Sequence, residues 1–213
     1  MTIFNTLLGL HIIAGGISLL LGLYILATNK GSKIHKSLGT IYFIAMLTAS
    51  LVALPMSYLH SNYFLFIIGI FTSYMLLTGK RYLHIKSVAE VRKTDWILSG
   101  IMFLFAIIFI CFGVYHLIQN NYFGSVFIVF GSIGLRFVYQ DSQNYTGKSG
   151  IKNYFLLCHL QRMIGSYIAS VTAFLVVNNQ ILPGIIAWLL PTIMLTPLIL
   201  FWTRKYTKKE QNE

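Results

Sequence analysis

The sequence predicts an all-α protein: a polytopic transmembrane helix bundle of seven spans, with its N-terminus outside and its C-terminus in the cytoplasm. Three observations lead there. The 213 residues are 56% hydrophobic and 10% charged, with a mean hydropathy of +0.72, whereas about a quarter of an ordinary soluble domain is charged. Apolar stretches recur at the length of about 20 residues that a helix needs to cross a hydrocarbon core. Apart from Arg136 and Arg162, the basic residues are confined to alternate connections between those stretches and to the C-terminal tail.

Taken in order, the spans fall near 4–27, 38–59, 63–79, 96–117, 122–140, 154–177 and 182–203, so residues 1–204 form one membrane domain and 205–213 a polar cytoplasmic tail. The third and fifth spans are short and contain glycines, which leaves room for a tilted, broken or partly re-entrant segment. The longest polar stretches, 80–95 and 141–153, are too short to bury a core of their own. The start, Met1 to Asn5, has no basic n-region and the positive cluster follows the first apolar run, so the first span is expected to be retained rather than cleaved.

Orientation follows from the connections. Lys30, Lys33 and Lys36 follow the first span, Lys80, Arg81, Lys86, Arg92 and Lys93 follow the third, Lys148 and Lys152 precede the sixth, and Arg204, Lys205, Lys208 and Lys209 end the chain. The alternate connections carry no Lys or Arg, which by the positive-inside rule puts them outside. The five acidic residues, Glu90, Asp95, Asp141, Glu210 and Glu213, lie in or beside the inside segments. The net charge of +11 therefore reads as topology and not as a nucleic-acid surface. Its expected partner is the bilayer of a bacterial cytoplasmic (inner) membrane with anionic inner-leaflet lipids, anchored by Trp96, Tyr154, Trp202 and Tyr206 inside and by Tyr58, Tyr63 and Tyr122 outside.

Local features refine the bundle. Cys111 and Cys158 fall at different depths and are not expected to form a disulfide. Pro191 and Pro197 inside the seventh span remove intrahelical hydrogen bonds and are expected to bend it, as a packing kink or as a hinge. Small and polar residues recur at helical spacing as His11, Gly15, Ser18 and Gly22 on the first span, His35, Gly39, Tyr42, Met46, Ala49 and Ala53 on the second, and His159, Arg162, Ser166, Ala169, Ser170 and Ala173 on the sixth. Such seams face other helices and serve close packing or a shared pocket.

Ionisable residues inside a bilayer are costly and are functional candidates by default. His11, Arg136, His159 and Arg162 qualify. Arg136, His159 and Arg162 share the inner leaflet and could converge, and Asp141 and Tyr139 in the run Arg-Phe-Val-Tyr-Gln-Asp could orient Arg162 or His159. Two arginines with a nearby histidine suit a phosphate, a carboxylate or haem propionates, which guanidinium binds bidentately. Arg136 also has the reading of a residue that snorkels to the interface.

Six histidines raise the possibility of haem b, with His159, His35 and His11 as candidate ligands and a neighbouring glycine making room for the macrocycle. Depth is the obstacle, since His11 sits about 10 Å below the outer surface by helix rise and no bis-His pair at equal depth emerges. No His-x-x-x-His or Cys-x-x-Cys spacing points to a metal site, and the nucleophile elbow, Walker loop and dinucleotide fingerprint are missing.

The stretch Leu10-His11-Ile-Ile-Ala-Gly-Gly, continuing to Lys30-Gly-Ser-Lys-Ile-His35-Lys-Ser-Leu-Gly39-Thr-Ile-Tyr42, together with His159-Leu-Gln-Arg162-Met163-Ile-Gly-Ser166, resembles the domain-of-unknown-function 2306 family of predicted bacterial membrane proteins. The resemblance implies that His11, His35, Gly39, His159, Arg162 and Met163 belong to what such proteins share, and it implies no particular activity. The functional expectation is a binding or redox protein holding an anionic, quinone-like or haem ligand in a cytoplasm-facing pocket of His159, Arg162, Arg136, Asp141 and Tyr139, built by the first, second, fifth and sixth spans. The alternatives are a small-molecule or ion transporter and a non-catalytic accessory subunit.

Overall fold

The computed structural model describes residues 3–60, 62–151 and 153–211, with the side chains at 63, 64 and 208–211 left out. Lys152 and Glu213 lie outside the described residues, and the side chains of Tyr63, Lys208, Lys209 and Glu210 lie outside the description. Seven helices follow one another: α1 (Ile3–Ala27), α2 (Lys33–Leu59), α3 (Tyr63–Tyr82), α4 (Lys93–Ile118), α5 (Gly124–Tyr145), α6 (Tyr154–Asn178) and α7 (Gly184–Gln211), with a short 3-10 turn at Val88–Glu90. No strand occurs among the described residues.

The helices outrun the apolar stretches for local reasons. Helix α2 starts at Lys33 because the Ser32 hydroxyl accepts from the His35 amide at 3.1 Å, capping an otherwise unpaired donor. Helix α4 starts at Lys93 because Asp95 folds back onto the Arg92 amide at 2.8 Å. Helix α5 runs past residue 140 to Tyr145 since Asp141, Asn144 and Tyr145 are buried against protein, where an apolar count misses them. The tail expected at 205–213 instead continues α7 through Gln211, and Pro191 and Pro197 lie inside that one continuous helix.

Five helices, α1, α2, α4, α6 and α7, are long and apolar enough to cross a membrane. The remaining two are α3 and α5. Helix α3 packs on α2, α6 and α4, and α5 packs on α4 with a lesser contact to α7. Their Ser, Thr, Tyr and Asp side chains lower their hydropathy while meeting protein partners, as at Ser73 with Ser50 (3.0 Å). Helix α6 lies beside α3, with α1 and α7 against its other sides.

Consecutive helices run antiparallel. His11 near the start of α1 meets the Ala49 carbonyl in the second half of α2 at 2.9 Å, and a Cβ at Gly79, near the end of α3, would lie 2.8 Å from Arg162 Cβ in the first turns of α6. The ends of α1, α3, α5 and α7 and the starts of α2, α4 and α6 thus share one end, which carries every described Lys and Arg except the two within helices at 136 and 162. We call it the basic end.

The seams behave as packing surfaces. Ser18, Gly22, Tyr42, Met46, Ala49, Ser166, Ala169 and Ser170 are buried. Tyr42 and Ser166 join their hydroxyls at 2.8 Å across α2 and α6, and a Cβ at Gly22 would fall 2.3 Å from the Tyr167 ring. Outward faces of α1, α4 and α7 are strongly apolar, including Ile12, Ile13, Phe103, Leu104, Ile193 and Met194. Tyr58 and Tyr122 are exposed as expected of anchors, but Tyr154 is not an anchor: it is buried at the basic end with Tyr82, Ile85 and Cys158. Both cysteines are free.

Candidate functional site

The largest fully buried side chain is Arg162. Its Nη2 donates to Asp141 Oδ1 at 2.7 Å, and both side chains are wholly shielded from solvent. Four helices supply the surroundings. Tyr82 of α3 donates its hydroxyl to Asp141 Oδ1 at 2.7 Å, Ser99 of α4 donates to Oδ2 at 2.8 Å, and Tyr74 of α3 also donates to Oδ2. An ionised carboxylate has about four acceptor positions. All four are filled here, so Asp141 acts as a fixed charge with no lone pair left for a further ligand.

The sequence builds this cluster through helical spacing. Tyr74, Thr78 and Tyr82 are four residues apart on α3, as are Cys158 and Arg162 on α6, so each set lies on one face. Gly79 lets α3 and α6 approach until Arg162 Cβ fills the space a side chain would take. The guanidinium stacks 3.8 Å from the Phe137 ring centroid and lies 5.1 Å from that of Tyr74, and Nη2 also donates to the Phe137 carbonyl at 3.0 Å. Nε and Nη1 find no hydrogen-bond acceptor among the described residues.

Toward the basic end the cluster is closed. Asn144 Nδ2 donates to the Tyr82 hydroxyl at 3.1 Å and contacts Cys158 Sγ at 3.1 Å. Ile85, from the segment after α3, is fully buried beside Tyr82, Tyr145 and Tyr154. That segment is tied down by Arg81, which meets both Asp95 oxygens at 2.9 and 3.1 Å and the Glu90 carbonyl. Asp95 is itself 1% exposed.

Outside this plug lies a cleft of about 480 Å³ between α5 and α7, with α6 as its floor. Helix α5 contributes Arg136, Tyr139, Gln140 and Gln143, and the connection to α6 contributes Lys148 and Ser149. Gln161 of α6 accepts from Gln140 Nε2 at 2.9 Å and reaches toward Thr203 of α7 at 3.5 Å. Two cations, three glutamine amides and the Ser149, Thr203 and Thr207 hydroxyls face this space, and among the described residues no carboxylate lines it. Tyr154 also lines it, and its buried hydroxyl has no partner among the described residues.

The expected site residues therefore divide into separate places. Asp141 does orient Arg162. Arg136 and Tyr139 do not join them: both are exposed and line the cleft. His159 is half-buried with Nδ1 donating to the Gly79 carbonyl at 2.8 Å; that fixes the tautomer and leaves Nε2 as the ring's acceptor. His35 sits in the first turn of α2 with a buried Nδ1 that has no partner. His11 lies toward the opposite end, so of the three histidines only His35 and His159 are near enough in depth to share a ligand. The pocket expected from the first, second, fifth and sixth spans is replaced by a buried cluster on α3, α4, α5 and α6 and a cleft on α5, α6 and α7. No group of three or more His, Cys, Asp and Glu side chains suited to a metal ion occurs among the described residues.

Tyr74, Tyr82, Ser99 and Asn144 were not anticipated. The Tyr74, Thr78, Tyr82 spacing was available as a signal, since it is the same pattern that marks the seams of α1, α2 and α6. No protein-family model matches the chain, and no curated protein and no solved structure is a significant match to it.

Proposed function

We propose that this chain is a seven-pass protein of a bacterial cytoplasmic membrane, with its basic end in the cytoplasm, and that it binds a small anionic ligand in the cleft between α5 and α7. The one-sided basic charge supports the orientation. Helices α3 and α5 complete the count as spans in which Ser73, Tyr74, Tyr82, Asp141 and Asn144 meet neighbouring helices, the arrangement that lipid demands of polar groups at depth. The likeness to the domain-of-unknown-function 2306 family belongs to the same proposal.

The observation that carries the ligand reading is the lining: Arg136 and Lys148 with amides and hydroxyls and, among the described residues, no carboxylate. A cation pair without counter-charge selects for an anion, and guanidinium matches a phosphate or carboxylate bidentately. Arg162, expected to hold the ligand, is instead neutralised by Asp141 and supports the wall of the cleft from behind. The test is thermal unfolding of the purified protein in mild detergent with inorganic phosphate against chloride at equal ionic strength. Phosphate should raise the midpoint of the wild type and not that of the Arg136→Gln/Lys148→Gln variant. Equal responses from the two proteins would remove the reading. Reporter fusions at 60–62, 119–123 and 179–183, scored for external signal, test the topology independently.

A further inference from the structure

We infer that the ligand of the cleft is a phosphate-bearing membrane lipid held by its headgroup, an inference that rests on the anionic-ligand reading above. Arg136 is the first reason. It lies four residues before the end of the apolar stretch at 122–140, about 6 Å of helix rise, on an exposed part of the helix and without a hydrogen bond or ion pair among the described residues. A guanidinium at such depth on a lipid-facing surface is costly unless it meets water or an anionic oxygen. A lipid phosphate drawn into the cleft supplies that oxygen.

The shape of the cleft is the second reason. Helices α5 and α7 touch near the end away from the basic loops, where Trp188 packs on Phe123 and Phe130 with ring centroids 6.1 and 6.4 Å apart. At the basic end the polar cleft lies between them. On α7, about one helical turn before Thr203 and on nearly the same face, Leu200 is exposed and apolar, a surface on which an acyl chain can lie. A volume of about 480 Å³ accommodates a headgroup and leaves the chains outside.

Charge is the third. Lys148, at the exposed mouth of the cleft, adds a second cation to Arg136. The same chemistry would admit a soluble phosphate monoester, so the test separates the two sources.

The experiment is native mass spectrometry of the full chain in mild detergent with dioleoyl phosphatidic acid, dioleoyl phosphatidylglycerol or dioleoylglycerol, alongside glycerol 3-phosphate. One molecule of either phospholipid should be retained and dioleoylglycerol should not. Retention should fall at least about tenfold, the equivalent of one good charge-assisted contact, in Arg136→Gln/Lys148→Gln and less in Arg136→Lys. If glycerol 3-phosphate binds in an Arg136-dependent way while phospholipid retention is the same in variant and wild type, the occupant is a soluble phosphate and the lipid inference falls while the anionic reading stands. If neither phospholipid nor phosphate responds to the variants, both fall. Both substituted positions are exposed, and unchanged elution on gel filtration checks that the variants are folded.

Discussion

Replacing Asp141 by Asn removes one charge from the buried cluster while keeping its shape. In the wild type the carboxylate takes the Arg162 Nη2 hydrogen bond at 2.7 Å and hydroxyl hydrogen bonds from Tyr74, Tyr82 and Ser99. Breaking a buried pair by removing one partner costs about 3–5 kcal/mol, chiefly because the other charge is stranded. The hydroxyls can reorient toward the amide, so we expect Asp141→Asn to lose about 3 kcal/mol. Asp141→Leu strips three hydroxyls of their acceptor as well, at roughly 1 kcal/mol each, and should lose more. The double variant Asp141→Leu/Arg162→Leu should recover part of that loss, since an apolar replacement of a whole buried pair is often neutral or better. The assay is reversible unfolding in dodecylmaltoside–SDS mixtures followed by tryptophan fluorescence, with Trp96 placed 5.3 Å from Tyr145 as a local reporter. An Asp141→Asn protein that unfolds at the wild-type SDS fraction, or a cycle with no coupling between 141 and 162, would refute this account of the cluster.

Gly124→Ala should destabilise by about 1–3 kcal/mol, because the new Cβ would lie 2.3 Å from the Gly113 carbonyl of α4, whereas Gly100→Ala, which points into open space, should not; the same SDS titration compares them. Ser166→Ala leaves the buried Tyr42 hydroxyl without its partner, and a cycle with Tyr42→Phe should give a coupling of about 0.6 kcal/mol, the average for such bonds between membrane helices. Asp95→Ala removes both the Arg81 pair and the first-turn acceptor of α4. It should speed backbone hydrogen exchange across 83–95 and leave α7 unchanged, and uniform acceleration across the chain would contradict the local role given to this pair.

Much of the architecture was readable because lipid imposes a simple rule: apolar runs of helical length mark helices. The helix ends were harder, since Ser32 and Asp95 extend α2 and α4 by local hydrogen bonds that an apolar count ignores. In the site, Arg162 was legible as a charge within a span, and Asp141 as a carboxylate just past the fifth span that could orient it. Their companions were hidden because Tyr and Ser are ordinary in membrane helices and become informative only once α3 and α4 are known to face α5. Arg136 had two readings, convergence with Arg162 or a residue that snorkels to the interface. Its depth matched that of Arg162, but depth says nothing about azimuth, and α5 turns Asp141 inward while Arg136 points out.

The pairing of Arg162 with Asp141 has an electrical consequence. A lone charge in the membrane field gains or loses about 2.3 kcal/mol per 100 mV when carried across it, but two opposite charges 2.7 Å apart move as a dipole and exchange almost none of that work. The interior of this bundle is therefore nearly silent to voltage. Arg136, exposed on α5 and without an ion pair among the described residues, has no such cancelling partner.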